Sequence, residues 1–354
     1  MLRMSVLGKL HVLTSAAAIV YVAGCAAGTA VAPKQAIPQY HMHSPIRRVS
    51  TFRDLFDSLK LSQNATERHF KSFNSCPASG TIEYMSDFRA STISIFAGNF
   101  TGQSPCGLLT VSNGLNNPGG SIVKGGNLYV ANMGDHNVLA FHRGATTPYM
   151  TYIDTSCGQE YPGDVTVSDD GVVLASNAHI GPCPGSISTW KKSTGALIGN
   201  FPNAAGASDN FLTIQKDGTV YYDDTTFGLY VGSCVAGVCG TFVNTGASLN
   251  FPGGLRSADG EDLVVQDANV PGGDAETYEP PAFGSPSSQC HLDGYDPTAF
   301  DINKSQHHYF YTDSNKNVGV EIKYSSGGTC GLIGTVAGYG LPIGMAVDAP
   351  EAIK

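Results

Sequence analysis

Charge is scarce in this chain. Asp, Glu, Lys and Arg make up 14% of its 354 residues, well below the usual share of about a quarter, and 20 basic side chains face 29 acidic ones. No Lys/Arg run is longer than the pairs Arg47-Arg48 and Lys191-Lys192, so the basic stripe that binds phosphate backbones is missing and nucleic acid is excluded as a partner. Tryptophan occurs once, at Trp190. There is no P-loop, no G-x-S-x-G elbow and no H-E-x-x-H helix, which removes the reaction classes those motifs serve. No C-x-x-C pair marks a zinc site, and His41 and His43 offer too few ligands for a metal by themselves. The apolar stretch from Leu10 to Ala23 is shorter than the roughly 20 residues of a membrane span.

What is abundant is turn and strand material. The 43 glycines and 19 prolines imply many tight turns, while 16 Tyr, 16 Phe and a hydrophobic share of 42% suffice for a sizeable β-rich core. Disorder is excluded for most of the chain.

Arg3 and Lys9 precede the Leu10 to Ala23 stretch, as in the leader of an exported protein. The stretch ends Val22-Ala23-Gly24-Cys25, which resembles the lipobox of bacterial lipoproteins. That resemblance implies a signal peptide over 1–24, acylation of Cys25 and a membrane-held mature chain facing the periplasm or the cell surface. Ordinary secretory cleavage near Ala26-Ala27-Gly28 is the competing reading. Residues 25–75 read as a tether, with Thr51 capping a short helix near 51–60 whose Phe52, Leu55, Phe56 and Leu59 share one face.

One phrase, an apolar run ending in Asp or Asn, recurs six times. The copies end at Asp87 (TIEYMSD), Asn132 (LYVAN), Asn177 (VLASN), Asp224 (VYYDD), Asp267 (LVVQD) and Asp313 (YFYTD), a period near 45. That is the length of one four-stranded propeller blade. Three residues before each end stand Tyr84, Tyr129, Leu174, Tyr221, Val264 and Phe310; two before stand Met85, Val130, Ala175, Tyr222, Val265 and Tyr311. Both pleat faces are apolar, as in a strand covered on each side by a neighbouring blade.

A second phrase precedes the first: Pro118-Gly119-Gly120, Pro162-Gly163-Asp164, Pro252-Gly253-Gly254 and Pro297-Thr298-Ala299, replaced in the fourth copy by Asp209-Asn210-Phe211. It reads as a turn entering an innermost strand. The first copy lacks it, and an orphan version stands at Leu341 to Asp348. The expected fold is therefore an all-β, six-bladed β-propeller over 76–350, its ring closed by a C-terminal strand joining the first blade. Third strands are expected at Thr92–Phe96, Asn137–Phe141, Gly185–Trp190, Gly228–Val231 and Val318–Ile322. Between Pro271 and Ser288, Glu279-Pro280-Pro281 should confine any strand to a sheet edge.

LYVAN followed by Asn137-Val138-Leu139-Ala140-Phe141 resembles the NHL and YVTN-type repeats of bacterial extracellular propellers. The resemblance covers about 80–349 and implies the fold alone, since such proteins include binding scaffolds, surface proteins and some enzymes. After Cys25, eight cysteines remain, an even count that suits disulfides in an exported chain. Cys234 and Cys239 flank a hairpin turn and form the first expected pair; blade neighbourhood suggests Cys76 with Cys106, Cys157 with Cys183 and Cys290 with Cys330, buried free thiols being the alternative.

Propeller topology places Asp87, Asn132, Asn177, Asp224, Asp267 and Asp313 in a ring on one face, with Asp164, Asn210 and Asp296 nearer the channel mouth. These nine residues form the candidate binding face. They could hold Ca²⁺ or sugar hydroxyls, but strand-end Asp and Asn commonly bond their own backbone, and turn capping is the favoured reading. No cofactor is otherwise expected, and no catalytic residue is assigned. Similarity to gluconolactonase-type propellers would imply a channel metal held by Glu, Asn and Asp and a metal-dependent hydrolase. No Glu of the first blade matches that set, because Glu83 lies mid-strand. His308 and Trp190 are expected to be structural. The preferred expectation is a monomeric, exported, lipid-anchored propeller that binds a protein or glycan partner without catalysis.

Overall fold

A computed structural model describes residues 73–349 except 99, 102, 159, 181–182, 204–208, 225–227, 248, 251, 258–261, 268–272, 293–296, 304–307 and 325–328. The signal segment, Cys25, the tether as far as residue 72 with its expected helix, and Asp296 lie outside the described residues.

The strands fall into six antiparallel sheets. Blade one holds β1 (Phe73–Asn74), β2 (Ile82–Asp87), β3 (Thr92–Ala97) and β4 (Gly107–Leu109). Blade two holds β5 (Pro118–Lys124), β6 (Asn127–Asn132), β7 (Asn137–His142) and β8 (Met150–Ile153). Blade three holds β9 (Pro162–Val167), β10 (Val172–Asn177), β11 (Ser186–Lys191) and β12 (Leu197–Pro202). Blade four holds β13 (Asp209–Ile214), β14 (Thr219–Asp224), β15 (Leu229–Val235), β16 (Val238–Cys239) and β17 (Val243–Asn244). Blade five holds β18 (Pro252–Ser257), β19 (Leu263–Asp267), β20 (Asp274–Tyr278) and β21 (Ser288–His291). Blade six holds β22 (Pro297–Asn303), β23 (His308–Asp313), β24 (Val318–Lys323) and β25 (Gly331–Ala337).

The last strand, β26 (Pro342–Asp348), pairs with β2 of blade one, Met345 opposite Met85, and closes the ring. The six strands that carry the recurring phrase, β2, β6, β10, β14, β19 and β23, are the second strands of their blades, as the repeat requires. Two boundaries differ from expectation. Phe73–Asn74 adds a fifth strand to blade one inside the segment read as tether. In blade five, β20 pairs on both sides, with β19 and β21, and is buried throughout. It escapes the prolines because Pro280 and Pro281 fall in the turn after it, where Ala282 donates to the carbonyl of Glu279.

Apolar residues on both faces of the second strands are used as the pattern demands. Tyr84 and Leu128 share a cluster between blades one and two, Tyr129 and Val173 between two and three, and Leu174 and Val220 between three and four. Val264 with Tyr311, and Phe310 with Met85, fill the gaps on either side of blade six. Each large buried side chain contributes about 1.5–3 kcal/mol, so the blade interfaces form the core.

The Pro-Gly phrase is a bulged strand entrance, not the turn expected of it. Register slips at the start of every innermost strand: between Pro118 and Ser121, Ser176 and Asn177, Asp209 and Leu212, Pro252 and Leu255, Pro297 and Ala299, and Ser86 and Asp87. Proline can sit there because it is the first strand residue and has no ladder N–H to give. The glycines serve neighbouring backbones. A Cβ on Gly119 would stand 2.5 Å from the carbonyl oxygen of Gly163, one on Gly253 2.7 Å from that of Pro297, and one on Gly344 would strike that of Gly119. In three blades a polar side chain just before the terminal Asp or Asn accepts an N–H of the bulge: Ser176 Oγ from Asp164 (3.1 Å), Asp223 Oδ1 from Phe211 (2.7 Å) and Thr312 Oγ1 from Ala299 (3.2 Å).

The eight cysteines pair as Cys76–Cys106, Cys157–Cys183, Cys234–Cys239 and Cys290–Cys330. Four disulfides belong to an oxidising compartment, outside the cytoplasm.

Candidate functional site

Asp87, Asn132, Asn177, Asp224, Asp267 and Asp313 each end the second strand of a blade, and all six are buried. Asp87 accepts N–H groups of Ala90, Gly340 and Leu341 at 2.6–3.1 Å and so ties β2 to the turn entering β26. Asn132 accepts from the N–H of Asn116 and donates to the carbonyl of Gly114. Asp224 accepts from Gly228, Asp267 from Asn250, and Asp313 from Asn315 and Lys316. Asn177 differs, donating to Ser186 Oγ and Ser188 Oγ of its own blade. Of the three residues expected nearer the channel mouth, Asn210 is half-buried, Asp164 is fully buried and Asp296 is outside the described residues.

Asp164 leads to the axis. Its Oδ2 is 2.9 Å from Nη1 of Arg256, which extends from β18 into the space the inner strands surround. The guanidinium also donates to the carbonyls of Ser121 (3.0 Å) and Leu212 (3.4 Å), and its Nε stands 3.8 Å from Asp301 Oδ1. Asp301 in turn accepts the N–H of Val347 at 2.8 Å. One arginine thus gathers inner strands of blades two, three, four and six, and through Asp301 that of blade one. Burial works against the charge of Arg256, but Asp164 and Asp301 outweigh it and hold the guanidinium above its ordinary value. Burial pushes the Asp301 carboxyl up, with Arg256 opposing. Within positions two to six of the inner strands, Asp164, Arg256 and Asp301 are the only charges, and an alignment of the six copies would have singled them out.

Glu83 lies away from that axis network. Both its carboxylate oxygens are buried without a hydrogen-bond partner, and burial, with the charge of Glu321 next, raises its pKa to about 8. Glu321 accepts from the N–H of Phe100 at 2.8 Å and pairs with His308 at 2.9 Å, giving His308 the structural place expected of it. Trp190 is buried and donates to the carbonyl of Ile153 at 3.0 Å. Glu160 resembles Glu83: burial, then the charge of Asp154, pushes it up to about 7.

An apolar surface lies on the outer side of blades three and four. Cys234 and Cys239 staple the β15–β16 hairpin, directly opposite each other with Cα atoms 4.0 Å apart. Between them Val235 and Val238 are 66% and 62% exposed. Leu197 and Ile198 of β12 are also exposed, and a Cβ on Gly237 at the hairpin tip would meet Ile198 Cδ1 at 2.5 Å. The hairpin therefore leans on β12 and makes one aliphatic patch with it. The spacing Cys-Val-Ala-Gly-Val-Cys pointed to the disulfide, but nothing local showed that its valines would face outward.

No protein-family model and no curated protein matches the chain. The fold is similar to a chain in the crystal structure of a nidogen/laminin complex, with a TM-score of 0.56, 15% identity, and coverage of 76% of this chain and 98% of that one. It is similar as well to a functionally unknown protein from Desulfotomaculum acetoxidans DSM 771, with a TM-score of 0.51, 12% identity, and coverage of 74% and 81%. At these identities the likeness is one of fold.

Proposed function

We propose that this chain is an exported, lipid-anchored propeller that binds a protein partner without catalysis, using the stapled hairpin of blade four and the adjoining edge of blade three. The observation that carries the reading is the exposed, disulfide-held pair Val235 and Val238 beside Leu197 and Ile198. Contiguous apolar surface of this kind marks interaction sites, and a rigid tip loses little entropy on docking. Aliphatic side chains favour a protein over a glycan, and the chain's only tryptophan, buried in the core, offers no sugar platform. The nidogen/laminin match comes from a protein–protein assembly, which accords with a binding role without supplying a partner.

The axis supports the non-catalytic half of the proposal. A metal of the gluconolactonase type does not fit these residues: a guanidinium lies where the cation would be drawn, and Glu83 faces Glu321 instead. Anchoring rests on Val22-Ala23-Gly24-Cys25 and on the oxidising compartment that four disulfides require. Mass spectrometry of the mature protein should find an acylated Cys25 at its N-terminus; an unmodified N-terminus further along would reject the anchor.

The binding surface is tested by capture of exported proteins on the wild type and on a Val235→Asp/Val238→Asp double variant. A partner retained by the first and lost by the second, at unchanged melting temperature, is expected. Equal capture by both, or lactone hydrolysis that chelator abolishes, would overturn the reading.

A further inference from the structure

Blade three contains a buried cage of oxygen atoms. Nδ2 of Asn200, on β12, lies 2.8 Å from Asp154 Oδ2, 3.0 Å from Ser186 Oγ, 3.2 Å from Glu160 Oε1 and 3.2 Å from Ser188 Oγ. An amide has two protons, so four acceptors surround a group that can serve two of them. Further acceptors are left over. Glu160 Oε2 and Asn177 Oδ1 are buried without a partner, on residues only 2% and 1% exposed. Asp154, Ser186 and Ser188 are equally enclosed. Among the described residues no Lys, Arg or His forms an ion pair with Asp154 or Glu160. Two carboxylates in one buried pocket, without a counter-charge, are a costly arrangement that a coordinated metal relieves.

The fold builds this cage from separate pieces. Asn177 stands opposite Ser186, and Ser188 opposite Asn200, across adjacent strands of the sheet. Ser186 and Ser188 share a pleat face because they stand two positions apart on β11. Asp154 and Glu160 come from the connection between β8 and β9. The Cys157–Cys183 bridge lies within that connection and fastens it to the segment following β10. The two sulfurs lie within 4.8 Å of a Glu160 oxygen, but being bonded to each other they offer no thiolate, so oxygen defines the chemistry.

We propose that this cage is a Ca²⁺ site, formed by the carboxylates of Asp154 and Glu160, the hydroxyls of Ser186 and Ser188, and the amide oxygens of Asn177 and Asn200, both amides turning over, since each now presents its Nδ2 to Ser186 Oγ and Ser188 Oγ. Six side chains supply the six to eight oxygens Ca²⁺ takes, and two carboxylates balance its charge. Ca²⁺ tolerates the irregular geometry of a sheet-borne site, whereas Mg²⁺ demands a near-ideal octahedron, and among the described residues of the cage there is no imidazole or thiolate for zinc. The site is separate from the axis and from the stapled hairpin, so it stands or falls independently of the binding reading.

Trp190 makes the test direct. Its indole N–H binds the carbonyl of Ile153, the residue before Asp154, which puts the chain's only tryptophan beside the cage. Tb³⁺ added to the purified, oxidised chain should give luminescence under selective tryptophan excitation, and Ca²⁺ should displace it. Ca²⁺ should also raise the melting temperature of the chelator-treated protein. Glu160→Gln, which keeps the volume and removes one charge, should weaken Ca²⁺ by more than about tenfold. Absence of tryptophan-sensitised emission in the wild type overturns the proposal whether or not that variant folds. Emission that Ca²⁺ fails to displace, or that folded Glu160→Gln and Asp154→Asn proteins retain undiminished, overturns it equally.

Discussion

Arg256 is one of three charges within positions two to six of the inner strands, and its partners depend on it. Removing the guanidinium leaves Asp164 and Asp301 buried without a counter-charge, a loss of about 3–5 kcal/mol when a buried pair is broken from one side. Arg256→Ala should therefore lower the urea midpoint far more than Arg89→Ala, whose side chain is exposed. Equal midpoints would remove the axis network from any account of stability. Glu83 makes a second prediction, in pH. Its folded pKa, about 8, lies above the ordinary 4.5, so the protonated form is the one the fold favours. The contribution is complete below pH 4.5 and is lost as pH rises towards about 8, because the unfolded chain releases the proton first. Equilibrium unfolding across that window should show the wild type losing stability, and Glu83→Gln should flatten that part of the curve. A variant with the same slope as the wild type would show that Glu83 is ionised in the fold.

At the scale of elements, the inner strands and the disulfides carry opposite lessons about sequence. Gly119 and Gly344 are in the chain because backbones meet there. Gly344→Ala, which drives a Cβ onto the carbonyl of Gly119, should destabilise by several kcal/mol, whereas Gly331→Ala on β25, with no neighbour nearer than 3.8 Å, should be tolerated in the same unfolding assay. Read along the chain, Pro-Gly-Gly looks like a turn, since close approach between strands some 45 residues apart leaves no local mark. The second strands were legible because their apolar runs and terminal Asp or Asn repeat six times. The disulfides were legible through blade neighbourhood. Their weights should differ with the loops they close: Cys290–Cys330 spans 40 residues and Cys234–Cys239 only 5, so paired Cys→Ser replacement should cost about 4 and 2 kcal/mol respectively on chain entropy. Chemical denaturation of the two double variants checks the order, and a reversed order would contradict it.

For the whole molecule, the period near 45 and the orphan phrase at 341–348 are enough to specify six blades and their closure. Function was less legible. The residues that mark the repeat, Asp87 to Asp313, drew attention as a binding face, yet their hydrogen bonds run mainly to backbone N–H groups. The groups that break the repeat are the informative ones: Arg256 at the axis, the blade-three cage of Asp154 and Glu160, and the stapled valines of blade four. Each is assembled by tertiary contact between segments with no common local pattern; aligning the repeats flags Arg256 as an odd charge, but the contacts of all three leave no mark in the spacing. All three depend on the ring being closed by its own C-terminal strand, which holds six inner strands around Arg256 and makes the rim a fixed surface. Hydrogen exchange of the backbone amides over 342–348, followed by mass spectrometry, tests that closure most directly. Paired with β2 and buried along its whole length, β26 should exchange as slowly as the second strands of the other blades. Exchange as fast as that of the exposed loops would mean an open ring, and would contradict the account.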